Sequence, residues 1–441
     1  MGTTILYIAF IAEAIFAAYC IATKSNQRRV RNFERIGTLA AFILLALASV
    51  FQWGFRWYGL ATLLLVWAVL GAWALIRKKE EYKEYKTKPV IRRALRTLAL
   101  VFVAILPALV FPQNKLPPMT GPHPVATVSY TYTDPNRIET FTHTGENREV
   151  NVEFWYPEDG GGPYPLVVFS HGTSAMKLSN TSTFMDLASN GYVVCSIDHP
   201  YHSLFTINAT GKRTMIDNAY LQEYMNAANG KYDAATNYKL NHEWMALRIA
   251  DINFVLDAIL ANAKDPATDE VYQLIDPAKI GLMGHSLGGE SAAQVARERN
   301  DVDAVVNLDA DMAGEYVDFA NGKEVLNDTV YPVPILNILT DALALPIAAI
   351  PNAKDTVAVE HVTATAPNAF EVHLSGTNHF SVTDMPLISP FLVSMMNASV
   401  PKAGGQAVNP YATIEKMNTM VLDFFNAYLK GEGNFTAPGK D

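Results

Sequence analysis

Cysteine and charge are both scarce in this 441-residue chain. Two cysteines, Cys20 and Cys195, exclude a disulfide-stapled scaffold and any multi-cysteine zinc module. Cys20 lies in an apolar run and Cys195 in an expected strand, so no bridge between them is anticipated. Charged residues make up 17% of the chain and hydrophobic ones 50%, with a net charge of −9, which argues against disorder and against a nucleic-acid binder. No basic residue precedes the first apolar stretch, so a secretory signal's charged leader is missing. Tyr19 before Cys20 is too large for a lipoprotein cleavage site. No internal repeat is present.

What charge there is divides unevenly. Residues 1–122 carry a net +11 and residues 123–441 a net −20, an asymmetry that points to two environments. The basic part holds four apolar stretches, Ile5 to Ala22, Ile36 to Phe55, Trp57 to Ile76 and Ala94 to Pro112, each near the roughly 20 residues that cross a bilayer as a helix. The expected organisation is a membrane domain of four helices over 1–113, a Pro-rich linker over 114–124, and a catalytic domain over 125–441. Lys24, Arg28, Arg29, Arg31 and Arg35 fill the first connection, and Arg77 to Arg93 holds eight basic residues in the third. The positive-inside rule then puts the N-terminus and everything after Pro112 outside the cytoplasm, in the plasma membrane. Trp53, Trp57 and Tyr58 suit an interfacial aromatic belt. Glu13, mid-helix, is either a functional intramembrane carboxylate or a protonated or helix-paired residue in a bundle.

Beyond the linker, Thr127 to Thr133 and Glu149 to Tyr156 alternate as two antiparallel edge strands. Apolar strands then alternate with helices: Leu166 to Ser170, Tyr192 to Ile197, Ile280 to Met283, Ala304 to Leu308, Pro334 to Leu339 and Phe370 to Leu374. Glu243 to Ala263 and Ile414 to Tyr428 show helical spacing. This order specifies an α/β fold, a mostly parallel sheet covered on both faces. The polar excursion over 208–242 is either a cap or a plain surface insertion.

Within that frame, Gly284-His285-Ser286-Leu287-Gly288 follows an apolar strand and opens a helix. In that context G-x-S-x-G lifts a serine out of a strained turn to serve as nucleophile. Ser170-His171-Gly172-Thr173 ends the first parallel strand, so the backbone N–H groups of Thr173 and Leu287 are the candidate oxyanion donors, with His171 structural. Asp309, at the end of one strand, and Asp341, after the next, are both workable acids. His379, in the loop after the last strand, is the candidate base, and His373 within that strand is a packing residue. Ser, Asp, His is the chain order of an α/β-hydrolase.

The Phe169-Ser170-His171-Gly172 turn, the Asp186 to Val194 passage, Gly284 to Gly289, Leu308-Asp309-Ala310 and Gly376 to Phe380 together resemble the platelet-activating factor acetylhydrolase family of α/β-hydrolases, over about residues 125 to 430. The resemblance implies that a Leu-Asp-Ala segment holds the acid, favouring Asp309, and that a Gly-x-x-His loop holds the base. Thr173 departs from the family's bulky apolar residue, so its acyl pocket does not carry over. The implied activity is hydrolysis of carboxylic esters, among them lipid esters with short acyl chains, at a membrane, with no metal or organic cofactor. Acyl transfer and a non-catalytic membrane sensor are the alternatives.

Overall fold

The computed structural model describes residues 1–77, 85–344, 356–396 and 408–438, in two compact units. Lys78, Lys79 and Lys83 of the third basic connection lie outside the described residues.

The first unit contains four helices, α1 (Gly2–Ala22), α2 (Arg28–Leu47), α3 (Phe55–Ile76) and α4 (Thr87–Val110), together with a returning segment that begins at Pro386. Three of them, α1, α3 and α4, are long and apolar enough to cross a membrane. The fourth expected span is corrected by the structure. Helix α2 starts eight residues early, among the arginines, and stops at Leu47. Its apolar part from Ile36 is therefore only about 18 Å long, short of the roughly 30 Å of hydrocarbon. The chain turns there because Ser49 adopts a left-handed φ of 54° and Val50 N–H donates back to the Leu45 carbonyl, which ends the helix.

Packing in this unit relies on small residues at helix crossings. A Cβ on Gly59 would sit 2.7 Å from the Ala104 carbonyl oxygen of α4. Trp57 also departs from expectation. It is buried against Phe42 and Phe51 and donates its indole N–H to the Gln52 carbonyl, leaving Trp53 and Tyr58 as the exposed aromatic pair. Glu13 is paired within the bundle: both its carboxylate oxygens accept from Arg31, whose guanidinium covers the Phe16 ring.

The second unit is built on an eight-stranded sheet. Its strands are β1 (Val125–Ile138), β2 (Asn147–Pro157), β3 (Tyr164–Ser170), β4 (Val193–Asp198), β5 (Ile275–His285), β6 (Ala304–Leu308), β7 (Ile335–Thr340) and β8 (Ala369–Leu374), in spatial order β1-β2-β4-β3-β5-β6-β7-β8. The first two are antiparallel and the other six run parallel. Side chains along β3 explain why both faces are covered. Leu166 and Val168 join the core beneath a long helix, Ala234–Ala263, whereas Phe169 meets Phe184 on the opposite face at 4.9 Å, as the period-2 pleat requires.

The longer helices are α5 (Thr181–Ser189), α6 (Asn218–Ala228), α7 (Ala234–Ala263), α8 (Leu287–Glu298), α9 (Val357–Thr365) and α10 (Pro410–Phe425). Residues 208–242 contain one arm of a small hairpin (Phe205–Ile207 with Arg213–Met215), all of α6 and the first turns of α7. Helix α7 begins nine residues before the expected Glu243 because Asp233 caps it, accepting from Thr236 N–H at 2.8 Å.

Candidate active site

The carboxyl ends of β3, β5, β6 and β8 bring the sequence-predicted groups to one edge of the sheet. Ser286 follows β5 directly and precedes α8 with φ 53° and ψ −131°, a backbone conformation that L-residues avoid without a compensating reason. It is held there by its own N–H donating to the Leu308 carbonyl at 3.0 Å, and by its carbonyl accepting from Gly289 N–H at 2.7 Å and Glu290 N–H at 3.1 Å. Close packing around the turn favours glycine at several positions, among them Gly284, where a Cβ would lie 2.2 Å from the Gly288 carbonyl oxygen. A Cβ on Gly288 would lie 2.1 Å from the Ser170 carbonyl oxygen, and one on Gly172 would lie 3.2 Å from Ser286 Cβ. The His-Gly turn after β3 is thus packed against the serine itself.

Asp309 follows β6 with a left-handed φ of 51° and is fully buried. Its Oδ2 accepts from His379 Nδ1–H at 2.7 Å and from the Thr340 hydroxyl at 2.9 Å, and its Oδ1 accepts from Thr340 N–H at 2.6 Å. Burial alone would raise its pKa, but the bond and charge of His379 and the Thr340 N–H outweigh it and hold the carboxyl below the ordinary aspartate value. The His379 side chain keeps 30% of its surface, so it is reachable from outside. His285 Nε2 donates to the His379 carbonyl at 2.9 Å, and the two rings lie 4.6 Å apart. The residue before the serine therefore ties down the loop that carries His379. Sequence reasoning missed His285, although it occupies the first variable position of the motif.

The alternative acid has other partners. Asp341 accepts from His373 Nε2–H at 2.7 Å and from Gly376 N–H at 3.0 Å, so it supports the start of the loop that carries His379. Downstream the same loop is pinned to the head of α5: Asp384 accepts from Ser182 N–H and hydroxyl at 2.8 and 2.5 Å, and Asn180 donates to the Val382 carbonyl.

Among the described residues, neither Thr173 N–H nor Leu287 N–H donates to a protein acceptor. The Gly172–Thr173 peptide is nevertheless fixed, because the Gly172 carbonyl accepts from His171 Nδ1–H at 2.7 Å and from Ala175 N–H at 3.2 Å. Burial, followed by the Arg248 charge, drives the His171 pKa well down, which keeps it neutral, with Nε2 accepting from the Ser203 hydroxyl at 2.8 Å. Beneath it lies a buried polar cluster that sequence reasoning also missed. Arg248 donates to the His171 carbonyl at 2.6 Å and to His202, while Asp251 accepts from Arg148 and His199. Its members come from β2, the segment after β4 and α7, so no local signal unites them.

An acid-oriented imidazole, a serine on a strained strand-to-helix turn and two unengaged N–H groups can perform nucleophilic acyl chemistry. The sheet order and this elbow define an α/β-hydrolase. A model of the family described as platelet-activating factor acetylhydrolase, isoform II, matches residues 152–438, and the chain belongs to that family. It is 27% identical over 189 residues to a platelet-activating factor acetylhydrolase of Bos taurus, covering 40% of each chain. It is also 24% identical over 177 residues to a probable 1-alkyl-2-acetylglycerophosphocholine esterase of Arthroderma benhamiae, covering 39% of this chain and 38% of the other. The chain thus spans about two fifths of the length of the first curated relatives it matches. A ferulic acid esterase from Streptomyces cinnamoneus shares the fold with a TM-score of 0.54 at 21% identity, over 72% of this chain and 93% of that one.

Proposed function

We propose that the protein is a membrane-anchored serine hydrolase that cleaves carboxylic esters, with Ser286 as nucleophile, His379 as general base and acid, and Asp309 as the acid that orients it. The observation that carries this reading is the 2.7 Å bond from His379 Nδ1–H to a buried Asp309, beside a serine at φ 53°. Ser286 Oγ attacks the ester carbonyl as His379 takes its proton, and the N–H groups of Thr173 and Leu287 stabilise the oxyanion. His379 returns the proton to the leaving alcohol, then activates water to release the acyl group. Each oxyanion donor is worth about 3 kcal/mol in comparable sites.

The substrate class favoured by the family is lipid esters with short acyl chains, and the apolar helices α1, α3 and α4 would hold the enzyme at such a surface. The charge asymmetry supports a catalytic unit outside the cytoplasm, at the plasma membrane. The test is labelling of detergent-solubilised protein with a fluorophosphonate, followed by mapping of the adduct and assay of an acyl-length series. An adduct on Ser286, loss of turnover in Ser286→Ala and a decline in rate with acyl length are expected. Turnover retained in Ser286→Ala would overturn the assignment, and preference for water-soluble esters regardless of acyl chain would overturn the lipid substrate.

A further inference from the structure

Tyr220 is the first large side chain of α6, in the stretch 208–242 that the catalytic assignment leaves without a role. It is buried at 5% exposure, and its hydroxyl donates to Thr173 Oγ1 at 3.5 Å, the outer limit of a hydrogen bond. Its position is nonetheless tightly specified. Its ring stacks on His202 at 3.7 Å and 3°, meets the edge of Trp244 at 5.9 Å, and its backbone N–H is held by the Asp217 cap at 2.8 Å. A ring fixed by three elements has been given a hydroxyl whose resting bond is poor.

Arg248 stands beside that hydroxyl. Fully buried, it spends Nη1 on the His171 carbonyl and Nε on His202, and Nη2, which makes no other hydrogen bond among the described residues, is left for the Tyr220 oxygen. A buried cation next to the turn that offers Thr173 N–H creates a positive potential where negative charge would develop. Burial keeps the tyrosine protonated, its pKa lying above the ordinary value despite the Arg248 charge.

We propose that Tyr220 is a third oxyanion donor, a catalytic residue supplied by α6. The proposal rests on the ester-hydrolase reading of Ser286. As Ser286 Oγ bonds to the acyl carbon and its proton passes to His379, the carbonyl π pair moves onto oxygen. The Tyr220 O–H exchanges its long bond to Thr173 Oγ1 for a short one to that oxygen and keeps its proton. When the tetrahedral intermediate collapses and the alcohol leaves, the bond reverts. Hydrogen bonds that are long in the resting enzyme and tighten only in the transition state are the ones that raise kcat.

The experiment compares Tyr220→Phe and Tyr220→Leu with the parent full-length protein, using a short-chain ester and a trifluoromethyl ketone as transition-state analogue. Rates are normalised to the sites titrated by a fluorophosphonate, so that partial misfolding does not mimic a loss. Removing the hydroxyl is expected to lower kcat per site about 10- to 100-fold, with KM within about two-fold, and to weaken the ketone by the same factor. Both variants should lose equally per site, because both lack the hydroxyl, although Leu also loses the stack on His202. A Phe variant with parental kcat, or a loss confined to the Leu variant, would make Tyr220 a packing residue and overturn the proposal. Turnover persisting in Ser286→Ala would instead defeat the underlying reading, so the two failures are distinguishable.

Discussion

Ser170 Oγ lies 2.9 Å from His199 Nε2, and His199 Nδ1 lies 2.9 Å from Asp251 Oδ2. These three residues form a second serine, histidine and aspartate array at the end of β3. Serine and aspartate are buried in both arrays, and it is the histidine that differs, with His379 keeping 30% of its side-chain surface and His199 none. In the second array all three side chains are buried, Asp251 is already engaged by Arg148, and burial with the Arg248 charge drags His199 down to about 3. An imidazole that binds protons so weakly cannot serve as a base near neutral pH. Fluorophosphonate should therefore modify Ser286 and leave Ser170 untouched. Ser170→Ala should still label, while losing about 1–3 kcal/mol of stability because His199 Nε2 is left buried without a donor. Peptide mapping decides, and an adduct on Ser170 would reverse the assignment of the nucleophile.

Two carboxylates compete in principle for the role of acid, and their bonds divide the work. Asp309 holds His379 directly, whereas Asp341 holds His373 and the Gly376 turn. Asp309→Asn should leave the fold intact and lower kcat about 10³- to 10⁴-fold by presenting the wrong tautomer to the imidazole. Asp341→Asn should cost less than about ten-fold and show mainly as a lower melting temperature. Steady-state kinetics on the two variants would expose an inverted assignment at once.

The anchor below His379 carries a pH signature. Burial raises Asp384 to about 6, against the opposing hydrogen bonds from Ser182. A folded pKa above the unfolded value of 3.8 means that the folded chain binds the extra proton between the two. Stability from this group is thus fully present below about pH 4 and is lost as pH rises through about 6. The full loss is on the order of 3 kcal/mol. Asp384→Asn cannot titrate, so the difference in melting temperature between parent and variant should shift in the variant's favour from pH 4.5 to 7. A difference that is flat across that range would place the titrating group elsewhere.

The parts of this molecule that sequence reveals are those whose cause is local. Strand and helix order follows from periodicity, and Ser286 follows from glycines within two residues of it. Asp309 and His379 stand at strand ends where the fold offers few choices. Arg248, Asp251, His199 and Tyr220 give no such signal, because each acquires meaning only when α6, α7 and the end of β4 converge. Hydropathy overestimated α2 because it counts apolar residues without regard to where the helix stops. Trp57 was misplaced because an aromatic residue near a membrane turn reads the same whether it faces lipid or the bundle.

The bond between Glu13 and Arg31 yields a test in the first unit. Both side chains are buried, and Arg31 also lies over Phe16 and 3.6 Å from Glu34. Removing one partner strands the other, a loss of about 3–5 kcal/mol in comparable buried pairs, whereas replacing both with apolar residues of similar size is often neutral or stabilising. Glu13→Ala should therefore melt the detergent-solubilised chain at a clearly lower temperature, and Glu13→Ala with Arg31→Met should recover most of it. If Glu13 instead served a transported ion or proton, the double variant would gain stability without regaining function, and the single Glu13→Gln variant, nearly isosteric, would already lack it. Thermal unfolding and proton or ion flux into vesicles, measured on the same preparations, separate these outcomes: recovered stability with flux unchanged from the parent assigns the pair to helix packing alone.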